Sequence, residues 1–267
     1  MSGGGRALIA HAVHLASPTG RRPRLAGADL ALATGRVTVL IGPNGAGKSS
    51  LLACLAGLEG PTDGTVQLDG RALAALDRRA VARAVALVGP PGAADVDLTV
   101  GEVVALGRLA HRRGPWVASD PAGPAAVRSA LETTDMAPLA HVRLSALSSG
   151  ERQRARLAAA LAQGSAFLLL DEPTAALDPG HARQVLDLLR ALAAAGRGVA
   201  MALHDLAAVG QYADAVALLA EGRVVASGTA EEVLRPDVLE PVYRTALAVV
   251  PHPHSGRPLV VADYAGR

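Results

Sequence analysis

Gly42-Pro43-Asn44-Gly45-Ala46-Gly47-Lys48-Ser49 lies between an apolar run, Val37-Thr38-Val39-Leu40-Ile41, and a helical-looking segment, 49–56, that ends near Gly57. A buried strand, a glycine-rich turn and a helix in that order make a phosphate-binding loop. The turn's backbone N–H groups can wrap a phosphate, and the helix N-terminus adds positive dipole. Lysine then reaches the β and γ phosphates, and the hydroxyl that follows it can ligate Mg²⁺. The pattern assigns Gly42, Pro43, Asn44, Gly45, Ala46, Gly47, Lys48, Ser49 and Ser50 to contact with ATP, with Ser49 as a Mg²⁺ ligand.

Lys48 is the only lysine in the chain; every other basic side chain apart from histidine is arginine. An ammonium is a compact point charge that fits between phosphates, whereas a guanidinium is a broad planar fork. The exception to the arginine habit therefore falls where the chemistry calls for lysine.

Composition sets the outer bounds. A chain of 267 residues is long enough for one large α/β domain with a sizeable subdomain. Its 26 basic and 24 acidic residues are interspersed and aromatic residues are few, which argues against nucleic-acid binding. The uninterrupted apolar stretches are all shorter than the roughly 18 residues needed to cross a bilayer, so the chain is not expected to be a membrane subunit. Residues 1–6 lack the pattern of a secretion signal, and an intracellular location is expected. Cys54, the single cysteine, reads as a small core residue in a helix.

Outward from the loop, 65–69 alternates like a hairpin strand bounded by Gly64 and Gly70, and 77–86 reads as helical and then extended. Residues 89–97 form a Pro/Gly loop. Residues 99–162 are mostly helical, broken by Gly114-Pro115 and by 120–124, and read as an insertion. Strands are expected at 167–170, 199–203, 215–219 and 223–226, with a helix at 180–194. Strands alternating with helices predict an α/β fold with a largely parallel sheet. The expected division is a nucleotide-binding core, 1–89 and 165–250, a helical subdomain, 90–164, and a tail, 251–267.

Three further stretches carry chemistry. Phe167-Leu168-Leu169-Leu170-Asp171-Glu172 puts two carboxylates at the end of an apolar strand, where open α/β sheets bind ligands. Asp171 suits the outer shell of Mg²⁺, and Glu172 suits the base that polarises the water attacking the γ-phosphate. His204 follows strand 199–203 and is expected on the same edge, within reach of the γ-phosphate. In Leu147-Ser148-Ser149-Gly150-Glu151, a serine is followed three residues later by glutamate, a capping-box pattern. This helix start is either purely structural or a second anion site, serving a nucleotide held by another subunit.

Together these residues resemble the ATP-binding subunits of ABC transporters, over about 8–258. The phosphate loop, the signature-like stretch at 147–151 followed by Arg152-Gln153-Arg154, the Asp171-Glu172 pair, the D-loop Ala176-Leu177-Asp178, and His204 carry the resemblance. It implies a P-loop NTPase core with an N-terminal antiparallel β part, and ATPase activity with ATP and Mg²⁺. It further implies catalytic roles for Lys48, Glu172 and His204. In that family two such domains stack head to tail, so Ser148, Gly150 and Asp178 would serve the nucleotide site shared with the second ATP-binding subunit of a homodimer. Two transmembrane permease subunits and, indirectly, a substrate-binding protein complete the implied assembly, on the inner face of the cell membrane.

Thr99-Val100-Gly101-Glu102-Val103-Val104-Ala105-Leu106-Gly107-Arg108, Gly222-Arg223-Val224-Val225-Ala226-Ser227-Gly228 and Val242-Tyr243 resemble importers of iron complexes (siderophore, haem) and the related cobalamin systems.

Three departures from the family pattern stand out. Pro90 occupies the position of a glutamine that joins core and helical subdomain, with Asp95 or Asp97 as available substitutes; weaker Mg²⁺ coordination or altered coupling to the permease is expected. Ser149 replaces the first signature glycine. Residues 14–24 lack the adenine-stacking aromatic, leaving His14 in its place, which predicts weak base selectivity. The alternative reading is a nucleotide-binding regulatory or structural partner with impaired hydrolysis.

Overall fold

The computed structural model describes residues 5–18, 20, 22–89, 98–112, 120–175 and 177–262. Pro90, Asp95, Asp97 and Ala176 lie outside the described residues. The chain runs through β1 (Ala7–Leu15), β2 (Leu25–Ala33), β3 (Val37–Ile41), α1 (Lys48–Leu55), β4 (Asp63–Leu68), β5 (Arg71–Ala72), α2 (Arg78–Ala84) and β6 (Val85–Val88). The helical part holds α3 (Val100–Leu106), α4 (Gly123–Thr133) and α5 (Ser149–Ala162). The chain returns through β7 (Phe167–Asp171), α6 (Pro179–Ala194), β8 (Gly198–Ala202), α7 (Leu206–Tyr212), β9 (Ala215–Ala220) and β10 (Arg223–Gly228). It finishes in α8 (Ala230–Val233), α9 (Pro236–Tyr243), β11 (Leu247–Pro251) and β12 (Pro258–Ala262).

Six strands form the central sheet in the order β10-β9-β3-β8-β7-β6. All neighbours are parallel except the edge strand β10, which returns antiparallel to β9. Every residue of β3, β7 and β8 is buried. That is why these strands read as continuous apolar runs rather than alternating ones. Alternation instead divides their side chains between two cores. Val37, Val39, Ile41, Leu168 and Leu170 pack towards α5, α6 and the helical subdomain. Leu40, Phe167 and Leu169 pack with α1 and the antiparallel sheet.

That second sheet, in the order β2-β1-β4-β5, is the antiparallel β part. Asp69 and Gly70 turn β4 into β5 with φ of 51° and 78°, left-handed values that an Asp-Gly pair accepts in a tight hairpin. The tail boundary expected at 250/251 falls inside β11. Residues 247–262 instead form an antiparallel hairpin with α7 beneath it, since a Cβ on Gly210 would lie 1.8 Å from the Pro258 carbonyl oxygen. No described helix is long and apolar enough to cross a membrane.

Candidate functional site

The parallel strands deliver their following loops to one edge. The phosphate loop leaves β3, Asp171 closes β7, and His204 lies two residues beyond β8, the strand between them. Leu40 pairs with Ala202 on one side of β8, and Asp171 pairs with Ala202 on the other. The edge expected for Lys48, Asp171, Glu172 and His204 is thus a single crevice rim.

Within the loop, two glycines are demanded by the protein's own backbone. A Cβ on Gly42 would lie 2.2 Å from the Leu219 carbonyl oxygen of β9, and one on Gly47 would lie 2.7 Å from that of Arg24. Gly45 faces open space but has a φ of 79°, which favours glycine. The turn is tied down by Ala46 N–H to the Pro43 carbonyl at 3.1 Å and by Gly222 N–H to the Ala46 carbonyl at 3.0 Å. Gly47 begins α1 with no side-chain cap and no acidic residue in the first turn. The orphan N–H groups of this helix therefore meet no side-chain acceptor and remain available to an anion. Asn44, Gly45 and Ser49 are exposed, while Pro43 and Ser50 are half-buried.

Lys48 is buried, and its Nζ donates to the carbonyl oxygens of Gly42 at 2.7 Å and Pro43 at 3.2 Å. Burial lowers its pKa, and the nearby Glu172 and Asp171 carboxylates oppose that shift. The ammonium thus already lies in the field of both acids. Asp171 is buried too, and its Oδ1 has no hydrogen-bond partner. A buried carboxylate oxygen left unmatched is rare and fits an acceptor reserved for a cation or its water.

Glu172 has a φ of 52°, in the left-handed region. For a residue with a Cβ this costs about 1–2 kcal/mol, and such strain collects at functional sites. Its N–H donates to the Ala202 carbonyl at 3.2 Å, and its Oε1 lies 2.7 Å from His204 Nε2. His204 therefore meets Glu172 directly. Asp205, next in the chain, caps α7 by accepting from the N–H groups of Ala207 and Ala208.

Among the described residues, the hydrogen bonds of the turn at 147–151 do not reach 42–49. The expected capping box is present: Glu151 N–H donates to Ser148 Oγ at 3.3 Å, while Ser148 N–H and Oγ donate to Glu151 Oε2 at 2.8 and 2.7 Å. Gly150 is buried in the first turn of α5, and a Cβ there would make only ordinary contacts, 3.6 Å to the His181 ring and 3.7 Å to Leu177. Asp178 caps α6 through the N–H groups of Gly180 and His181 and pairs with the His181 imidazole.

Several features escaped sequence reading. His181, placed against both Gly150 and Asp178, is one; its spacing three residues after a helix-capping aspartate was the only local signal. The place of Tyr243 is another: it lies beside the Gly42 backbone, and burial pushes its phenol up to about 12. His14 turns its Nδ1 to the Ala12 carbonyl at 2.9 Å and its ring toward Gly27. Burial likewise pushes the Cys54 thiol up to about 11, which keeps it protonated and inert.

A sequence profile described as ABC transporter matches residues 25–175, more than half of the chain. The chain belongs to the ABC transporter family. It is accordingly an ATP-binding, ATP-hydrolysing cassette. It is 43% identical over 251 residues to the hemin import ATP-binding protein HmuV of Streptomyces coelicolor, covering 93% of this chain and 86% of the relative. The iron(3+)-hydroxamate import ATP-binding protein FhuC of Bacillus subtilis is 37% identical, covering 86% of each chain. An inward-facing metal-chelate-type ABC transporter superimposes with a TM-score of 0.82 at 22% identity, covering 97% of this chain and 98% of its own, a likeness of fold.

Proposed function

We propose that this ABC cassette works as a homodimer beneath two transmembrane permease subunits, on the cytoplasmic face of the membrane, and powers import of an iron complex, with haem as the leading candidate. The observation that carries the site is the gathering of Lys48, Asp171, Glu172 and His204 on one strand edge behind an uncapped helix start. The loop's N–H groups and Lys48 hold the β and γ phosphates of ATP. Glu172 takes the proton of the attacking water, and His204, already hydrogen-bonded to Glu172, orients it. Ser49 and Asp171 would hold Mg²⁺, which would neutralise charge on the phosphates. Lys48 Nζ donates to the carbonyl oxygens of Gly42 and Pro43, which hold the ammonium at the loop where the phosphates would bind.

The dimer is supported by the signature-like turn at 147–151, whose hydrogen bonds among the described residues close its own capping box and do not reach 42–49. The iron-complex cargo is supported by the haem and hydroxamate importers among the relatives and by the stretches at 99–108 and 222–228. A substrate-binding protein would act through the permease.

Glu172→Gln tests the chemistry. The variant should bind ATP with wild-type affinity, accumulate as a dimer and turn over at least about 10²-fold more slowly; unimpaired turnover would remove Glu172 from the base role. Deleting the gene and scoring growth on haem as sole iron source tests the cargo, with undiminished growth counting against haem.

A further inference from the structure

On the side of the molecule that carries the Ser148 turn, α5 and α6 begin next to each other, and one side chain of the α6 start faces the α5 start. His181, in the first turn of α6, directs Nδ1 to Asp178 Oδ2. Asp178 Oδ1 meanwhile accepts from Gly180 N–H at 2.9 Å and His181 N–H at 3.0 Å, so both of its oxygens are engaged. The opposite side of the imidazole faces Gly150, with Cγ and Cδ2 each 3.6 Å from the place a Cβ would take, and Leu177 closes the same contact. The charged groups around the ring are Asp178 on its own turn and Glu151 on α5, with Arg154 behind Glu151.

An ordinary helix cap needs only the aspartate and the N–H groups it accepts from. The added imidazole bridges two separate helix starts, an arrangement that capping does not call for. We infer that His181 is a positioning residue that holds the Asp178 turn and the Gly150 turn as one rigid surface, presented to the nucleotide of a second subunit. The inference rests on the dimeric reading above. Since the hydrogen bonds of His181 among the described residues run to Asp178 and not to 42–49, it should govern turnover and leave nucleotide affinity alone.

Two substitutions each cut one of its links. His181→Phe keeps a ring against Gly150 and loses the bond to Asp178; His181→Asn keeps a donor for Asp178 and loses the ring. In the full transporter complex, each variant should lower kcat about tenfold, the scale of a small misplacement of a reacting group. Binding of labelled ATP to the isolated chain should stay within about twofold, as expected when only an interaction made during turnover is lost. Wild-type kcat in either variant overturns the inference, and for His181→Asn it would reduce the residue to a helix cap. Loss of ATP binding in proportion to kcat, with a lowered Tm, also overturns it by showing a general structural role. Glu172→Gln, run in parallel, separates the two readings: if it turns over normally, the assignment of hydrolysis fails on its own account.

Discussion

The turns at 42–49 and 147–151 both lead into helices, and both carry glycine and serine, yet they are held on opposite terms. α1 starts at Gly47 without a side-chain cap or an acid in its first turn, whereas α5 starts inside a closed box between Ser148 and Glu151. In the first turn glycine is imposed from within, by the carbonyl oxygens of Leu219 and Arg24. In the second, the space beside Gly150 would admit a methyl group. The first turn is thus a finished receptacle whose open N–H groups face a ligand. The second is locally closed by its own capping box, and in the proposed dimer it would face the nucleotide of the second subunit.

That contrast can be broken from either side. Gly42→Ala should have the largest effect: a Cβ 2.2 Å from a strand carbonyl forces β3 and β9 apart, at a cost of about 3 kcal/mol or more in urea unfolding. All ATP binding should go with it. Lys48→Arg comes next. The broader guanidinium cannot take the place of an ammonium held between the Gly42 and Pro43 carbonyls, so hydrolysis should fall by about 10²-fold while the chain stays folded. Gly150→Ala should invert the Gly42 result. Replacing a helical glycine should leave the chain as stable or raise stability by about 0.5–1 kcal/mol. Turnover should nonetheless drop about tenfold, because the methyl adds bulk against His181 and Leu177 in the turn proposed to face the partner's nucleotide. An unchanged rate would place the whole need for this turn inside the monomer.

The same contrast explains what the sequence could reveal. The strands β3, β7 and β8 were legible because burial on both faces leaves only apolar or small residues, and the phosphate loop because each of its residues answers a local requirement. The Ser148 box was legible for the same reason: serine and glutamate three apart interact across one helical turn. β1 and β2 were expected only as an antiparallel part and not located, since alanines on both faces and the irregular register around Ala12 blur the period. The β11–β12 hairpin was read as a tail because its proline and histidine turn hides a pairing whose stability comes from α7. The φ of Glu172 and the place of His181 between two helix starts depend on contacts across dozens of residues, and no local pattern encodes them.

Acid titration gives the smallest test. Glu151 has a pKa below its ordinary 4.5, chiefly because Ser148 donates to its carboxylate. A carboxylate depressed in the folded state contributes stability that is full above the unfolded value and is lost as pH falls through the lower, folded one. The α5 cap should therefore weaken only below about pH 4.5. Glu151→Gln should lower Tm slightly at pH 7, and the gap from wild type should close as the pH drops toward 3.5. α1 has no acid to lose at its start, and Lys48 titrates on the alkaline limb: its lowered pKa means that stability rises with pH between the folded value and the ordinary 10.5. Lys48→Met should flatten that alkaline limb and leave the acid limb untouched. If the two substitutions change the same limb, the turns are not independently held.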